Sequence, residues 1–227
     1  MYFRDRQQAG EILAERLAEY RDDTIVVMAL TSGAVLVGEP LKRLLGAELT
    51  LMMSRDIKIP GEQSVIGTVD QAGGFTFNNM FSTGELEELV MEFHNQIEAD
   101  KFNVLADIHQ VLGQAGLMER HALTDKVLVV LSDGVINGVA FDAAFNYLKP
   151  IRLKRTIAAA PVASIPAVDR MHTLSDEIHV LSVVDNYLET SHYYENNDIP
   201  SDKAIFKLLT TVKPVPGVAR KSRRNYT

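Results

Sequence analysis

The apolar residues of this chain fall into two repeating spacings. Thr24 to Leu30 (TIVVMAL) and Val127 to Leu131 (VLVVL) are unbroken apolar runs, the pattern of a strand buried on both faces of a parallel sheet. Between and around them the spacing turns helical. Ala9, Ile12, Leu13, Leu17 and Tyr20 mark an amphipathic first helix, and Val37, Leu41, Leu44 and Leu45 a second. Glu48 to Met53 reads as the next strand, so strand, helix and strand follow one another as a right-handed crossover. The rhythm breaks over 54–80. SRDIKIPGEQ reads as a loop, and Val65–Val69 and Phe75–Phe77 flank Gly73-Gly74 as an antiparallel hairpin. Ser82 caps a long acidic helical region that runs to about Leu112, with an interruption predicted near Asp100. Thr156 to Pro161 and Ile178 to Leu181 are further strands, separated by a helix with Pro166 in its first turn, and a last helix spans Ser201 to Leu209. The expected fold is α/β: a doubly wound, mostly parallel sheet flanked by helices, with a small antiparallel hairpin flap over about 54–80.

Composition narrows this picture. With 227 residues, 46% of them hydrophobic, the chain is expected to form one domain over 1–212, followed by a basic, mobile tail over 213–227. That tail holds Lys213, Arg220, Lys221, Arg223 and Arg224 and no acid, so the net charge of −7 understates how acidic the body is. An acidic body argues against a broad nucleic-acid face. There is no cysteine, which excludes disulfides, thiolate metal sites and a cysteine nucleophile. The first residues lack the apolar stretch of a signal peptide, and no apolar run approaches membrane-spanning length, so a soluble cytoplasmic protein is expected.

The candidate chemistry lies where buried strands run into helices. After Leu131 comes a turn carrying Ser132, Asp133, Gly134, Asn137 and Gly138, and after Leu30 comes Thr31-Ser32-Gly33. Free N–H groups and the positive end of a helix dipole make such a junction a site for phosphate. In a doubly wound sheet, ligands bind at the carboxyl ends of the strands, and both turns are expected at one such end. The six histidines show no metal-ligand spacing, and neither G-x-S-x-G nor G-x-G-x-x-G occurs.

The same stretch resembles the type I phosphoribosyltransferases. Their hallmark is a buried strand, two acidic residues, three variable residues and Thr-Gly-x-Thr. Here Ser132-Asp133 stands for the acidic pair, Gly134-Val135-Ile136 for the spacer and Asn137-Gly138-Val139-Ala140 for the last four. A bacterial-type branch opens with F-x-D-R-x-x-A-G-x-x-L-A, matched by Phe3, Asp5, Arg6, Ala9, Gly10, Leu13 and Ala14. Its L-P-R-G-G-V-P-V-A corresponds to Leu30 through Gly38, its R-K-L-G-x-P-G to Arg55 through Gly61, and a W-Y-E segment to Tyr193-Tyr194-Glu195.

The resemblance implies transfer of phosphoribosyl from phosphoribosyl pyrophosphate to an unknown acceptor, with Mg2+. It assigns Asp133 and Ser132 to catalysis and Gly134, Val135, Ile136, Asn137, Gly138, Val139 and Ala140 to the phosphate and ribose. Thr31, Ser32, Gly33, Arg55 and Lys58 fall on the pyrophosphate side, Tyr187, His192 and Tyr193 form an acceptor hood, and Asp133 could reach a metal through water. The expected partner is a small phosphorylated ligand, without membrane or nucleic acid, and a homo-oligomer is left open. Much of the family's chemistry is changed, however. Ser132 replaces a carboxylate, Asn137 and Ala140 replace threonines, Ser32 replaces a cation, and Asp56 adds an anion beside Arg55. A catalytically degenerate relative that binds a nucleotide or phosphate, with a regulatory or assembly role, is therefore the alternative.

Overall fold

The computed structural model describes residues 2–62, 64–112 and 120–211. The expected basic tail lies outside the described residues. Helix α1 (Arg6–Arg16) starts at Asp5, whose carboxylate accepts from the Gln8 amide at 2.7 Å. Strand β1 (Ile25–Ala29) leads into helix α2 (Ser32–Leu45), capped by the Thr31 hydroxyl, and strand β2 (Glu48–Leu51) follows. After the excursion over 54–112 come β6 (Val127–Leu131), α4 (Val139–Leu148), β7 (Arg155–Ser164), α5 (Ile165–Leu174), β8 (Glu177–Val184) and α6 (Asp202–Thr211). The excursion itself contains β3 (Ser54–Lys58), β4 (Val65–Asp70), β5 (Phe75–Phe77) and α3 (Thr83–Leu112).

The main sheet is parallel throughout, in the order β2-β1-β6-β7-β8. Alternation along its strands explains why both faces are covered. Ile25, Val27 and Ala29 of β1 and Val127, Val129 and Leu131 of β6 join a core with α1, α2 and α6. The intervening Val26, Met28, Leu128 and Val130 pack with α4 and α5. Helices α1 and α2 meet so closely that a methyl on Gly10 would sit 2.1 Å from the Val37 carbonyl oxygen. The chain leaves β1 toward β2 on one side and β6 toward β7 on the other. Adjacent strands β1 and β6 therefore form the switch point of the sheet, where a crevice opens at their carboxyl ends.

The region 54–80 differs from expectation. SRDIKIPGEQ is not simply a loop: residues 54–58 form β3, which pairs antiparallel with β4, so the hairpin has become a three-stranded sheet β3-β4-β5. Ile57 and Ile59 are buried while Arg55, Asp56 and Lys58 are exposed, and two apolar residues beside Pro60 were too short a signal to read. This sheet has its own core. Ile57, Ile59, Ile66 and Val69 pack with Ile97 and with Leu86, Leu89, Val90 and Phe93 of α3. Helix α3 starts at a reciprocal cap, in which Glu85 accepts from the Ser82 amide and hydroxyl and its own amide donates back to Ser82. Its interruption lies at Phe93, with φ −108° and ψ 18°, and not near Asp100. Phe93 belongs to the apolar face that meets the small sheet, so the break falls where packing bends the helix.

Candidate active site

The two turns predicted to carry the chemistry meet at the switch point. The Leu30 amide donates to the Leu131 carbonyl at 2.9 Å, continuing the β1–β6 pairing into the turns. One residue on, the Thr31 hydroxyl donates to Asp133 Oδ1 at 2.6 Å while accepting from the Ala34 amide at 2.9 Å. One threonine thus caps α2 and fixes the carboxylate of the other turn.

Asp133 is held from several further directions. Arg6, in the first turn of α1, donates through Nε to Asp133 Oδ2 at 2.8 Å, and the two residues are 4% and 5% exposed. The Arg6 guanidinium lies 4.4 Å from the ring centroid of Tyr194, and the Tyr194 hydroxyl donates to the Asp133 carbonyl at 2.6 Å. Residues from four distant segments, 3–6, 31–34, 132–134 and 193–195, therefore share one buried knot. A buried ion pair of this kind is costly to break, since removing one partner strands the other charge. Burial, with the Asp133 charge adding to it, pushes the Tyr194 phenol far above its ordinary range.

The turn after β6 is partly stitched to its neighbours. The Val135 amide donates to Val162 O and the Val135 carbonyl accepts from the Ser164 amide, so Val135 extends the sheet beside β7. The Ser164 hydroxyl donates to Ile136 O at 2.5 Å. Ser132 Oγ donates to Gly134 O at 2.9 Å, and the Gly134 amide returns to it at 3.4 Å. The Val139 amide donates to Asn137 Oδ1 at 3.2 Å. That leaves the amides of Ile136, Asn137, Gly138 and Ala140 without an acceptor among the described residues. Gly138, at φ 75°, forms the N-cap of α4 without a side-chain cap bond of its own. Of the predicted cradle 134–140, the half nearer the helix keeps its donors.

Asp142, in the first turn of α4, would oppose an anion there were it not compensated. Arg170 donates to its Oδ1 through Nε at 2.7 Å and through Nη2, and Asn79 donates to its Oδ2 at 3.1 Å. The aliphatic stem of Arg170 packs against Gly138, where a methyl would lie 3.0 Å from its Cγ.

The predicted pyrophosphate side divides. Thr31, Ser32 and Gly33 stand at the switch point, whereas Arg55 and Lys58 are exposed on β3, and Arg55 donates to the adjacent Ser54 carbonyl. Neither belongs to the described contacts of Asp133. The hood divides as well. Tyr187 reaches the turn, for a methyl on Gly134 would lie 2.2 Å from its hydroxyl, and that hydroxyl is bonded to Thr190 at 2.9 Å. Burial raises its pKa to about 12. His192 turns instead to Tyr2, which it bonds at 2.8 Å, while Tyr193 stands between the two, its ring centroid 5.1 Å from that of Tyr187 and 6.2 Å from that of Tyr2. Arg6 and Tyr194 were legible only as parts of matched sequence patterns; nothing local in the sequence announces a buried arginine. Asp142 and Arg170 gave no signal.

No family model matches the chain. Proteins of two strains of Mycobacterium tuberculosis, each named "Putative phosphoribosyl transferase", are 24% identical over 216 residues, covering 91% of this chain and 46% of each of theirs. The chain thus spans about half the length of the relatives it matches. A crystal structure from Thermus thermophilus is 25% identical, with a TM-score of 0.72 over 92% of this chain and 98% of its own. The chain thus shares the fold of the Thermus thermophilus protein, and its sequence is similar to that of proteins named putative phosphoribosyl transferases, in agreement with the resemblance carried by its ordered motifs.

Proposed function

We propose that this protein binds a phosphorylated small molecule, a sugar phosphate or nucleotide, in the turn ahead of α4, and that it has lost efficient phosphoribosyl transfer. The observation that carries this reading is the set of amides at Ile136, Asn137, Gly138 and Ala140 at the start of α4, whose N-cap Gly138 brings no side chain to cap them. A helix dipole end and four donors in one turn favour an anion. Phosphoribosyl transfer asks for more: carboxylates to favour positive charge at the sugar, and cations to receive pyrophosphate. Ser132 is neutral, Ser32 carries no charge, and Asp133 is committed to Arg6 and Thr31. Charge-assisted contacts contribute about 1.5–3 kcal/mol each. Since about 1.4 kcal/mol is tenfold in rate, losing three of them cuts turnover severely.

Mg2+ would enter with the phosphates of a ligand and not in a cage of protein side chains. Among the described residues no group of three His, Cys, Asp or Glu side chains could hold a metal ion, and both oxygens of Asp133 are engaged within the protein. A regulatory or assembly role is consistent with binding without turnover, and of the hood Tyr187 lies over the turn with Tyr193 packed behind it.

Calorimetry with inorganic phosphate, ribose 5-phosphate and phosphoribosyl pyrophosphate, each with and without Mg2+, tests the binding. An assay of pyrophosphate release with purine and pyrimidine bases tests transfer. Binding with negligible release is the expected result. Absence of phosphate binding removes the proposal, and brisk release restores the reading as an active transferase.

A further inference from the structure

A carboxylate placed next to a phosphate turn is chemically suited to accept both hydroxyls of a vicinal diol, because its two oxygens offer about four lone-pair sites. Asp133 holds that place, yet its surroundings leave a diol no approach. Arg6 Nε takes one lone pair of Oδ2 and the Thr31 hydroxyl one of Oδ1, and with the residue only 5% exposed the others lie out of a diol's reach. On the α2 side even a methyl on Gly33 would fall 2.0 Å from Oδ2 and 2.7 Å from Arg6 Nε. On the carbonyl side the Tyr194 hydroxyl closes the residue, and Tyr187 and Thr190 lie over Gly134. The Arg6 fork is itself pinned, under the Tyr194 ring and against Asn197 Oδ1 at 3.5 Å. Its other side lines a cleft of about 260 Å³ with Asp5, Asn196 and Asp198.

We propose that Arg6 is a specificity-determining residue of this site: its guanidinium stands in for the diol at Asp133, so the protein takes phosphomonoesters by the phosphate and leaves the sugar hydroxyls unread. This rests on the phosphate reading given above. It also explains why a site with intact backbone donors can coexist with an acidic residue that is unavailable to a ligand. The pair is a charged hydrogen bond in a dry setting, stronger than a neutral hydroxyl could replace.

The experiment compares ribose 5-phosphate with 2-deoxyribose 5-phosphate, two probes with the same phosphate that differ in one hydroxyl of the diol, with inorganic phosphate as the reference. Wild-type protein is expected to bind the two sugars within about twofold of each other. In Arg6→Met, checked by circular dichroism and thermal melting, ribose 5-phosphate is expected to gain about fivefold or more over the deoxy sugar. A wild-type preference of that size for ribose overturns the inference and leaves the phosphate reading standing. So does a folded Arg6→Met protein with no preference. If Arg6→Met does not fold, the wild-type comparison decides alone. If neither sugar nor inorganic phosphate binds wild type, the phosphate reading falls and the inference falls with it.

Discussion

At Gly33 the site tolerates no added atom. Its missing side chain is what allows the first turn of α2 to lie against Asp133 and Arg6, so Gly33→Ala must move either the helix or the ion pair. Overpacking of this kind costs about 1–3 kcal/mol, and thermal unfolding of Gly33→Ala should show a loss of that size. An unchanged midpoint would mean that the turn is looser than described. The tyrosines make a second residue-scale test. Tyr187 is raised to about 12 by burial and Tyr194 is raised further, both staying protonated in the folded state. In the unfolded chain tyrosine ionises near about 10. Stability from the protonated phenols is thus complete below about pH 10 and drains as the pH climbs toward about 12. Denaturation midpoints across that window should fall less steeply in Tyr187→Phe than in wild type, and parallel curves would sink the assignment.

At the scale of elements, what the sequence revealed followed the strength of its periodicity. β1 and β6 were readable because each is an unbroken apolar run, and α3 because Ser82 offers an N-cap ahead of a long acidic stretch. β3 was not, since only Ile57 and Ile59 turn inward and its remaining residues look like loop. The break at Phe93 was displaced from its expected place because it answers to the small sheet packed on it, which no local pattern in α3 encodes. The site shows the same division. Thr31 and Asp133 were readable from their places after buried strands, whereas Arg6 and Tyr194 reach the turns only through long-range folding. Helix α4 supplies the test. Asp142 joins its first turn to Arg170 of α5 and to Asn79 after β5, so Asp142→Ala should cost about 1.5–3 kcal/mol in urea unfolding. It should also loosen the turn at Gly138, which NMR line widths would report. A neutral outcome would show that α4 is positioned by its apolar face alone.

For the whole molecule, the small sheet is better described as fastened than as a lid. Gln71 accepts from the Met53 amide and donates to Tyr147 Oη, Asn146 donates to Thr76, and the Gln71 carbonyl meets His109. The bonds of Gln71 to Met53 and Tyr147 are buried and that of Asn146 to Thr76 half-buried, and together they tie the small sheet to the body through α4 and the end of β2. Amides of β4 should accordingly resist hydrogen exchange about as long as those of β6, within about tenfold, and not exchange as a flap would. Exchange of β4 by an independent opening would refute this.

The knot around Asp133 also orders events in time. The Phe3 amide donates to the Tyr193 carbonyl and the Glu195 amide to the Phe3 carbonyl, so the first and last segments of the site lie side by side. A ribosome delivers Arg6 127 residues before Asp133, and Tyr194 61 residues later still. Until then the guanidinium has neither its carboxylate nor its aromatic cover, and the non-local contacts that close the site carry the full entropy of a long loop. The binding turn consequently matures later than the β1–β6 pair beneath it, and until residue 195 has emerged a growing chain can hold that pair with no finished place for a ligand.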